Sequence, residues 1–143
     1  MKILVVEDNE NRIECFKQVF DRADLDIVET SYDAIKLLKK YQYDFIFLDH
    51  DLGIHPVTHE PTTEVMLPSG DGTGYEVAQF MARSKKNKDT PTIIHTFNPD
   101  GAKKMMEELE DADYFPFWSG EFKRSVNYIN LLLNEECKIH GKE

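Results

Sequence analysis

Cysteine is scarce in this sequence of 143 residues. Cys15 falls in a predicted first helix and Cys137 in a predicted last helix, and neither lies in a CxxC or CxxH spacing. Zinc sites and disulfide-bonded small folds need such spacings or more cysteines. We therefore expect two reduced thiols and a packed fold that owes its stability to a hydrophobic core.

Long hydrophobic runs are absent as well. The longest runs, ILVV, FIFL and LLL, are far shorter than the roughly 20 residues that a membrane-spanning helix needs. The opening MKILVVEDN turns acidic where an export signal would continue its apolar segment. We expect a cytoplasmic protein without a membrane partner.

Positive charge is in deficit. The chain has 27 acidic residues against 17 Lys and Arg, which gives a formal net charge of -10. A strongly acidic chain is a poor match for the phosphate backbone of DNA or RNA, so we expect no extended nucleic-acid surface. A short nucleotide or an RNA end stays open as a ligand.

Short hydrophobic segments rich in β-forming residues recur along the chain. Most are almost entirely apolar, which is typical of parallel strands covered on both faces. The predicted strands are Lys2 to Val6, Asp26 to Glu29, Asp44 to Leu48, Thr92 to His95 and Tyr114 to Trp118. The last contains Pro116, which has no amide to donate and is tolerated at the edge of a sheet.

Helical periodicity fills the intervals between these strands. Ser31 is a candidate cap for the second helix, and Asn98 followed by Pro99 marks the start of the fourth. About five alternating strand and helix units predict a single α/β domain over residues 1–143. Its expected form is a flavodoxin-like, doubly wound parallel sheet of five strands in the order 2-1-3-4-5.

A long segment without periodicity, residues 54–74, follows the third predicted strand and is rich in Thr, Pro and Gly. Connections of this length are uncommon in compact domains and tend to be functional. We interpret this one as a lid or flap. Its His55, His59, Glu60 and Glu64 could add ligands to a site, although a solvated loop is the simpler interpretation.

Polar residues end the strands that meet at the centre of the predicted sheet. These residues are Glu7 and Asp8, then Asp49, His50 and Asp51, then His95 and Thr96. In an open parallel sheet the ligand crevice lies beyond the carboxyl ends of the strands. Carboxylates that converge there favour a bound cation, and oxygen ligands favour Mg²⁺ or Mn²⁺. The alternative is that they are solvated turn residues.

Three motifs resemble the receiver domains of response regulators over nearly the whole chain: ILVVEDN, DFIFLDHDLG and PTIIHT. The resemblance implies an acid pair at Glu7 and Asp8 and a phosphoacceptor at Asp49. It also implies that the hydroxyl of Thr96 reports phosphorylation and that the metal takes the backbone carbonyl of Asp51.

The sequence departs from the receiver pattern after the fifth strand. Receivers carry a lysine followed by proline there, whereas DADYFPFWSG offers Phe117 and Trp118. The motifs DHDLG and HTFNPDGA, with the long loop after the first, more closely resemble a divergent branch, the cyclic-phosphate-processing receiver-like domains. That resemblance implies action on cyclic phosphate ends of RNA. The residues it nominates are Asp49, His50, Asp51, His95 and Asn98, with Glu7 and Asp8 as metal ligands.

Two groups of residues are candidates for holding a phosphate without that lysine. The amides of Gly101 and Ala102 lie at a helix start, where anions bind well. Four cations are also expected at the C-terminal edge of the sheet: Lys103, Lys104, Lys123 and Arg124.

The two histidines each have an alternative interpretation. In catalysis a histidine would activate water or protonate the leaving hydroxyl. His95 is explained equally well as a structural residue at a strand end. Because side chains alternate along a strand, Asp49 and Asp51 would share one side while His50 points away from the pocket.

Three functions are consistent with these features. The first is a metal-dependent phosphoesterase or phosphotransferase that acts on cyclic phosphates, above all RNA 2′,3′-cyclic phosphate ends. The second is a stand-alone receiver that is phosphorylated on Asp49 and signals through a protein partner. The third is a module that binds a small phosphorylated ligand or nucleotide without turning it over.

Overall fold

Strands and helices alternate along the chain, as the sequence predicts. The computed structural model describes residues 1–52 and 72–139, with side chains up to residue 136. The strands are β1 (Lys2–Val6), β2 (Asp24–Val28), β3 (Phe45–Leu48), β4 (Thr92–Ile94) and β5 (Asp113–Tyr114). The helices are α1 (Glu10–Val19), α2 (Ser31–Lys40), α3 (Gly74–Arg83), α4 (Pro99–Glu108) and α5 (Gly120–Ile139).

The strands form one parallel sheet in the order β2-β1-β3-β4-β5, which confirms the predicted flavodoxin-like topology. Alternate side chains of the central strands enter two separate cores. Leu4, Val6 and Leu48 pack with α2, α3 and α4 on one face. Val5 and Phe47 pack with α1 and α5 on the other. Each fully buried side chain of this size contributes roughly 1.5–3 kcal/mol, so the apolar strands stabilise both faces.

The helix starts show where sequence reasoning was right and where it was one residue off. Asn98 caps α4 with Pro99 at its first position, as predicted. The second helix is capped by Thr30, not by Ser31: Thr30 has the extended backbone that a cap needs and accepts a hydrogen bond from the amide of Asp33. Ser31 is the first helical residue, and its hydroxyl donates to Glu76 Oε1 at 2.7 Å.

The fifth strand is shorter than the predicted Tyr114 to Trp118, because only Asp113–Tyr114 pairs regularly with β4. Hydrogen bonding continues beyond it: the amides of Phe115 and Phe117 donate to the backbone oxygens of Ile94 and His95, each at 2.9 Å. Pro116 lies between them, where an amide would point away from β4. Proline therefore follows the strand at the edge of the sheet and interrupts no bond to β4.

The predicted loop 54–74 is described only at its end, because residues 53–71 lie outside the described part of the chain. Gly72 has a φ of 75°, a left-handed conformation that suits glycine. Thr73 caps α3, and Gly74 is the first residue of that helix. The helix thus begins one residue inside the predicted loop.

The last helix, α5, packs through one face. Phe122, Val126 and Ile129 are buried, whereas Tyr128 and Leu131 are exposed. None of the helices in the described ranges is both long and apolar enough to span a membrane.

Gly74 is a position where the fold requires glycine. A Cβ added there would lie 1.8 Å from the backbone oxygen of Asp49, whereas one added at Gly120 would meet only Arg124 Nη1 at 3.5 Å. We expect Gly74→Ala to lower the free energy of unfolding by about 2 kcal/mol or more, because the backbone must shift to relieve the overlap. Urea unfolding followed by circular dichroism measures this loss, and Gly120→Ala is the matched control. Equal stabilities of the two variants would contradict the close packing of α3 on Asp49.

Candidate functional site

The strand register places three buried polar residues side by side. Val6 on β1 is paired with Leu48 on β3, and Leu48 is paired with Ile94 on β4. The next residue along each strand therefore lies at the same level of the sheet. These residues are Glu7, Asp49 and His95. Their potential metal-ligand atoms all lie within 4.8 Å of one another.

Glu7 is fully buried, and its carboxylate takes part in five hydrogen bonds. Oε1 lies 2.8 Å from both Arg12 Nε and His95 Nε2. Oε2 accepts from the amides of Asp8 and Asn9 at 3.0 Å and from Arg12 Nη2 at 3.1 Å. Burial alone would raise the pKa of Glu7, but the hydrogen bonds of His95 and Arg12 outweigh it and lower the pKa to about 2. Glu7 is therefore an ionised structural anchor.

Arg12 supplies positive charge to this pocket. Its Nη2 atom lies 3.5 Å from Asp49 Oδ2, and the same guanidinium holds Glu7. Burial alone would lower the pKa of Arg12, but the two carboxylates more than reverse this and raise it. Sequence reasoning missed Arg12. The signal that points to it is its place in the first turn of α1, where a helical side chain leans back toward the strand end that carries Glu7.

His95 lies beneath the pocket and is enclosed by aromatic rings. Its side chain is fully buried. Because an ionised Glu7 has no proton to offer, His95 Nε2 is the donor in their hydrogen bond. The Nδ1 atom has no hydrogen-bond partner among the described residues. The ring centroids of Phe16, Phe47, Phe117 and Phe122 lie 5.3 to 6.4 Å away. This placement favours the structural interpretation of His95 over the catalytic one.

Asp49 is a buried acid whose charge is only partly compensated. It is 3% exposed. Oδ1 accepts a hydrogen bond from the amide of His50 at 2.8 Å, and the hydroxyl of Thr96 also hydrogen-bonds to the carboxylate. Burial raises the pKa of Asp49 to about 6, and the charge of Glu7 adds to the rise, whereas His95 and the two hydrogen bonds oppose it.

Asp8 and Asp49 fit a divalent cation better than Glu7 does. Distance alone allows a cation among Glu7, Asp49 and His95, but Glu7 and His95 already bind each other. Burial raises the pKa of Asp8, and the charges of Glu7 and Asp51 add to this. A raised pKa marks a carboxylate whose negative charge is not fully compensated, and a hard cation would complete the compensation. Asp51, with its side chain 71% exposed, offers further oxygens nearby.

His50 lies on the opposite face of the sheet from the Glu7 cluster. Its ring rests on Gly101 in the first turn of α4, where an added Cβ would come within 2.5 Å of the ring. His50 Nδ1 lies 2.9 Å from Asp51 Oδ1 and 3.5 Å from Asn98 Nδ2. The shorter contact favours donation from Nδ1–H to Asp51, which makes Nε2 the proton acceptor. The side chain is 16% exposed, so the imidazole is oriented without being sealed off.

The first turn of α4 uses the two amides that the sequence suggests for phosphate binding. The amide of Gly101 donates to Asn98 Oδ1 at 3.0 Å, and the amide of Ala102 donates to the Asn98 carbonyl at 2.9 Å. The amide of Asn98 itself donates to Thr96 Oγ1 at 3.1 Å. Asn98 is thus a helix cap, and a phosphate at Gly101 or Ala102 would have to displace these bonds.

The four cations that the sequence suggests belong to two helices: Lys103 and Lys104 to α4, and Lys123 and Arg124 to α5. The α4 lysines are exposed. Lys123 Nζ lies 5.9 Å from the ring of Trp118, and Arg124 lines a groove beside β5. Over the described ranges, the cation that the structure places on Asp49 is Arg12.

Solved receiver domains share this fold. The receiver domain of the sensor histidine kinase PA1611 from Pseudomonas aeruginosa PAO1, which has a magnesium ion in its active-site cleft, is 20% identical over 89% of this chain and 94% of that one, with a TM-score of 0.65. The phosphorylated cyanobacterial phytochrome response regulator RcpA is 17% identical over 90% and 89%, with a TM-score of 0.66. The CheY-like receiver of Methanospirillum hungatei JF-1 is 16% identical over 96% of both, with a TM-score of 0.65. The fold is that of a receiver domain.

The sequence itself decides the family within this class. Residues 2–111 match the model of the Cyclic-phosphate processing Receiver domain, a stretch that includes Glu7, Asp49, His50 and His95. The chain belongs to this family, which confirms the resemblance carried by DHDLG and HTFNPDGA. No curated protein matches the sequence.

The raised pKa of Asp49 predicts a pH-dependent cost to stability. The unfolded chain loses this proton near the ordinary value of 3.8, whereas the folded chain holds it until about pH 6. The ionised carboxylate therefore opposes folding, and the cost grows as the pH rises through this window. We expect Asp49→Asn to be more stable than the wild type by roughly 2–3 kcal/mol at pH 7.5, with the difference shrinking toward pH 4.

Urea unfolding with a chelator present, at pH 7.5 and pH 4, measures this difference. Asp51→Asn, at an exposed neighbouring carboxylate, is the matched control and should change stability little at either pH. A loss of stability in Asp49→Asn at pH 7.5 would show that the carboxylate is fully compensated in the folded chain.

Proposed function

We propose that this receiver domain is a metal-dependent phosphoesterase that opens cyclic phosphates, with RNA 2′,3′-cyclic phosphate ends as its substrate class. The observation that carries the proposal is the His50–Asp51 pair: an imidazole held by a carboxylate at 2.9 Å directly follows Asp49 in the chain. Membership of a cyclic-phosphate processing family supports it. With a hydroxyl instead of water as the acceptor, the same site would be a phosphotransferase.

We assign Mg²⁺ to the carboxylates of Asp8 and Asp49, with the backbone carbonyl of Asp51 as a further ligand. The magnesium ion in the PA1611 receiver supports this choice, and these oxygen ligands give no reason to prefer Mn²⁺. A bound Mg²⁺ would polarise the phosphate and offset the negative charge that develops on it. Arg12 fixes Asp49 from the protein side.

His50 moves the proton in this mechanism, which requires the phosphate to lie beyond the carboxyl end of β3, between the imidazole on the α4 side and Asp49 on the α1 side. Asp51 keeps the imidazole in the tautomer that leaves Nε2 free to take a proton from the attacking water. The water oxygen bonds to phosphorus as one ring P–O bond breaks. The imidazolium then gives a proton to the released ribose oxygen, and the product is a phosphate monoester.

Opening of a five-membered cyclic phosphate is the direct test. We expect the purified chain with Mg²⁺ to convert a nucleoside 2′,3′-cyclic phosphate to a monophosphate, followed by phosphorus NMR. His50→Gln should lower the rate about 100-fold or more, because general acid–base groups contribute on that scale. Asp49→Asn should also lower the rate, because it removes a charged oxygen ligand of the cation.

Asp111→Asn is the control for this experiment, because Asp111 is exposed and precedes β5, at the opposite end of the sheet. It should leave the rate unchanged. Equal rates in Asp49→Asn, His50→Gln and the wild type would assign the activity to a contaminant and contradict the proposal.

A second candidate function is signalling by phosphorylation of Asp49, in which a protein partner recognises the phosphorylated form. The hydrogen bond from Thr96 to Asp49 favours it, as does the phosphorylated state of RcpA. We expect a small phosphodonor such as acetyl phosphate, with Mg²⁺, to leave an acid-labile phosphoryl group on the wild type and none on Asp49→Asn. An unlabelled wild type that still opens the cyclic phosphate would eliminate this candidate, and ligand binding without either reaction would indicate a binding module.

A further inference from the structure

Two large aromatic side chains are exposed in the connections that follow β4 and β5. Phe97 is 61% exposed in the connection between β4 and α4, and Trp118 is 45% exposed in the turn between β5 and α5. Exposed aromatics are common when scattered. These two follow the ends of neighbouring strands, so both lie at the edge of the sheet that carries Asp49.

Arg12 joins the aromatic residues to the pocket. Its guanidinium carbon lies 5.4 Å from the centre of the Phe97 ring and 5.9 Å from that of Phe117, while its Nη2 atom is 3.5 Å from Asp49 Oδ2. The Phe117 ring in turn lies 5.5 Å from Trp118 at an interplanar angle of 32°. The Arg12 guanidinium therefore lies between the Asp49 carboxylate and the aromatic rings of Phe97 and Phe117.

The ring of Trp118 is supported from the protein side. Phe122 lies 6.0 Å from it beneath the turn, and the Trp118 backbone has a φ of 64°. Bulky residues seldom adopt this left-handed conformation. The turn thus holds a flat aromatic surface partly in solvent.

The acidic net charge of the chain limits which ligands can bind at Phe97 and Trp118. The chain has a net charge of -10, so attraction to a phosphate backbone cannot supply much affinity for a nucleotide. Stacking on aromatic rings is independent of charge and accepts any base. A planar aromatic group fits the aromatic rim, and a phosphate attached to it would be held by Arg12 and by a cation at Asp49.

We propose that Phe97 and Trp118 form a base-stacking platform for the nucleotide whose phosphate lies at Asp49. The position of that phosphate rests on the proposed function, whereas the stacking is a separate claim about binding. The ligand class is then a nucleotide or an RNA end, and a cyclic phosphate without a base binds poorly.

The sequence contains a single tryptophan, so Trp118 fluorescence reports directly on this platform. The full chain is titrated with adenosine 2′,3′-cyclic phosphate and with glycerol cyclic phosphate, which has the same ring and no base. We expect only the adenosine compound to quench the fluorescence, and to bind at least 10-fold more tightly. Phe97→Leu should weaken its binding about 10-fold, whereas Tyr128→Leu, at an exposed aromatic on α5, should not.

Trp118→Leu is tested by calorimetry, because it removes the fluorescent probe, and should also weaken adenosine binding about 10-fold. Equal affinity for the two cyclic phosphates, no quenching, or full affinity in Phe97→Leu would overturn the platform. Ring opening is measured in parallel. Ring opening without base preference would support the proposed function and contradict the platform. Base-dependent quenching without ring opening would support the platform and contradict the proposed function.

Discussion

The buried carboxylate of Glu7 is the interaction on which the rest of the site depends. An unpaired charge in a protein interior costs several kcal/mol, so it must be met by fixed partners. Arg12 on α1, His95 after β4 and two local amides meet it. The same bonds tie the end of β1 to α1 and, across β3, to the end of β4. His95 can reach Glu7 only when the register of β1, β3 and β4 is correct, so the charge helps to specify the register that builds the pocket.

Glu7 and Asp49 show how hydrogen bonding separates two adjacent acids. Both are buried, and burial alone raises the pKa of each. Glu7 receives a bidentate arginine and an imidazole, and its pKa falls to about 2, whereas Asp49 receives weaker compensation and its pKa rises to about 6. Environments that drive two pKa values apart assign different roles to like groups. Glu7 stabilises the structure, and Asp49 keeps a negative charge that a cation can compensate.

Sequence patterns predicted the elements well because local rules govern them. Apolar runs gave the strands, and Asn98-Pro99 gave the start of α4. The strand-end rule correctly brought Glu7 and Asp49 together, since register and alternation suffice for that. The burial of His95 could not be predicted, because its enclosing rings come from three separate parts of the chain. Arg12 was missed for a different reason: its place in the first turn of α1 allows the contact with Glu7, but the sequence does not show which way a long side chain turns.

The position of Arg12 also bears on which of the candidate functions the pocket is suited to. Its guanidinium is bound to Glu7 by two hydrogen bonds, so it is fixed before any ligand arrives. A fixed cation stabilises developing charge without reorganising, which favours a transition state, but it is poorly suited to report a new phosphoryl group by moving. After the fifth strand, where receivers carry a lysine, this chain has Phe117 and Trp118. Their rings offer stacking instead of positive charge. A preorganised cation beside an aromatic rim is better suited to binding a phosphate that arrives on a larger ligand than to storing one on the protein itself.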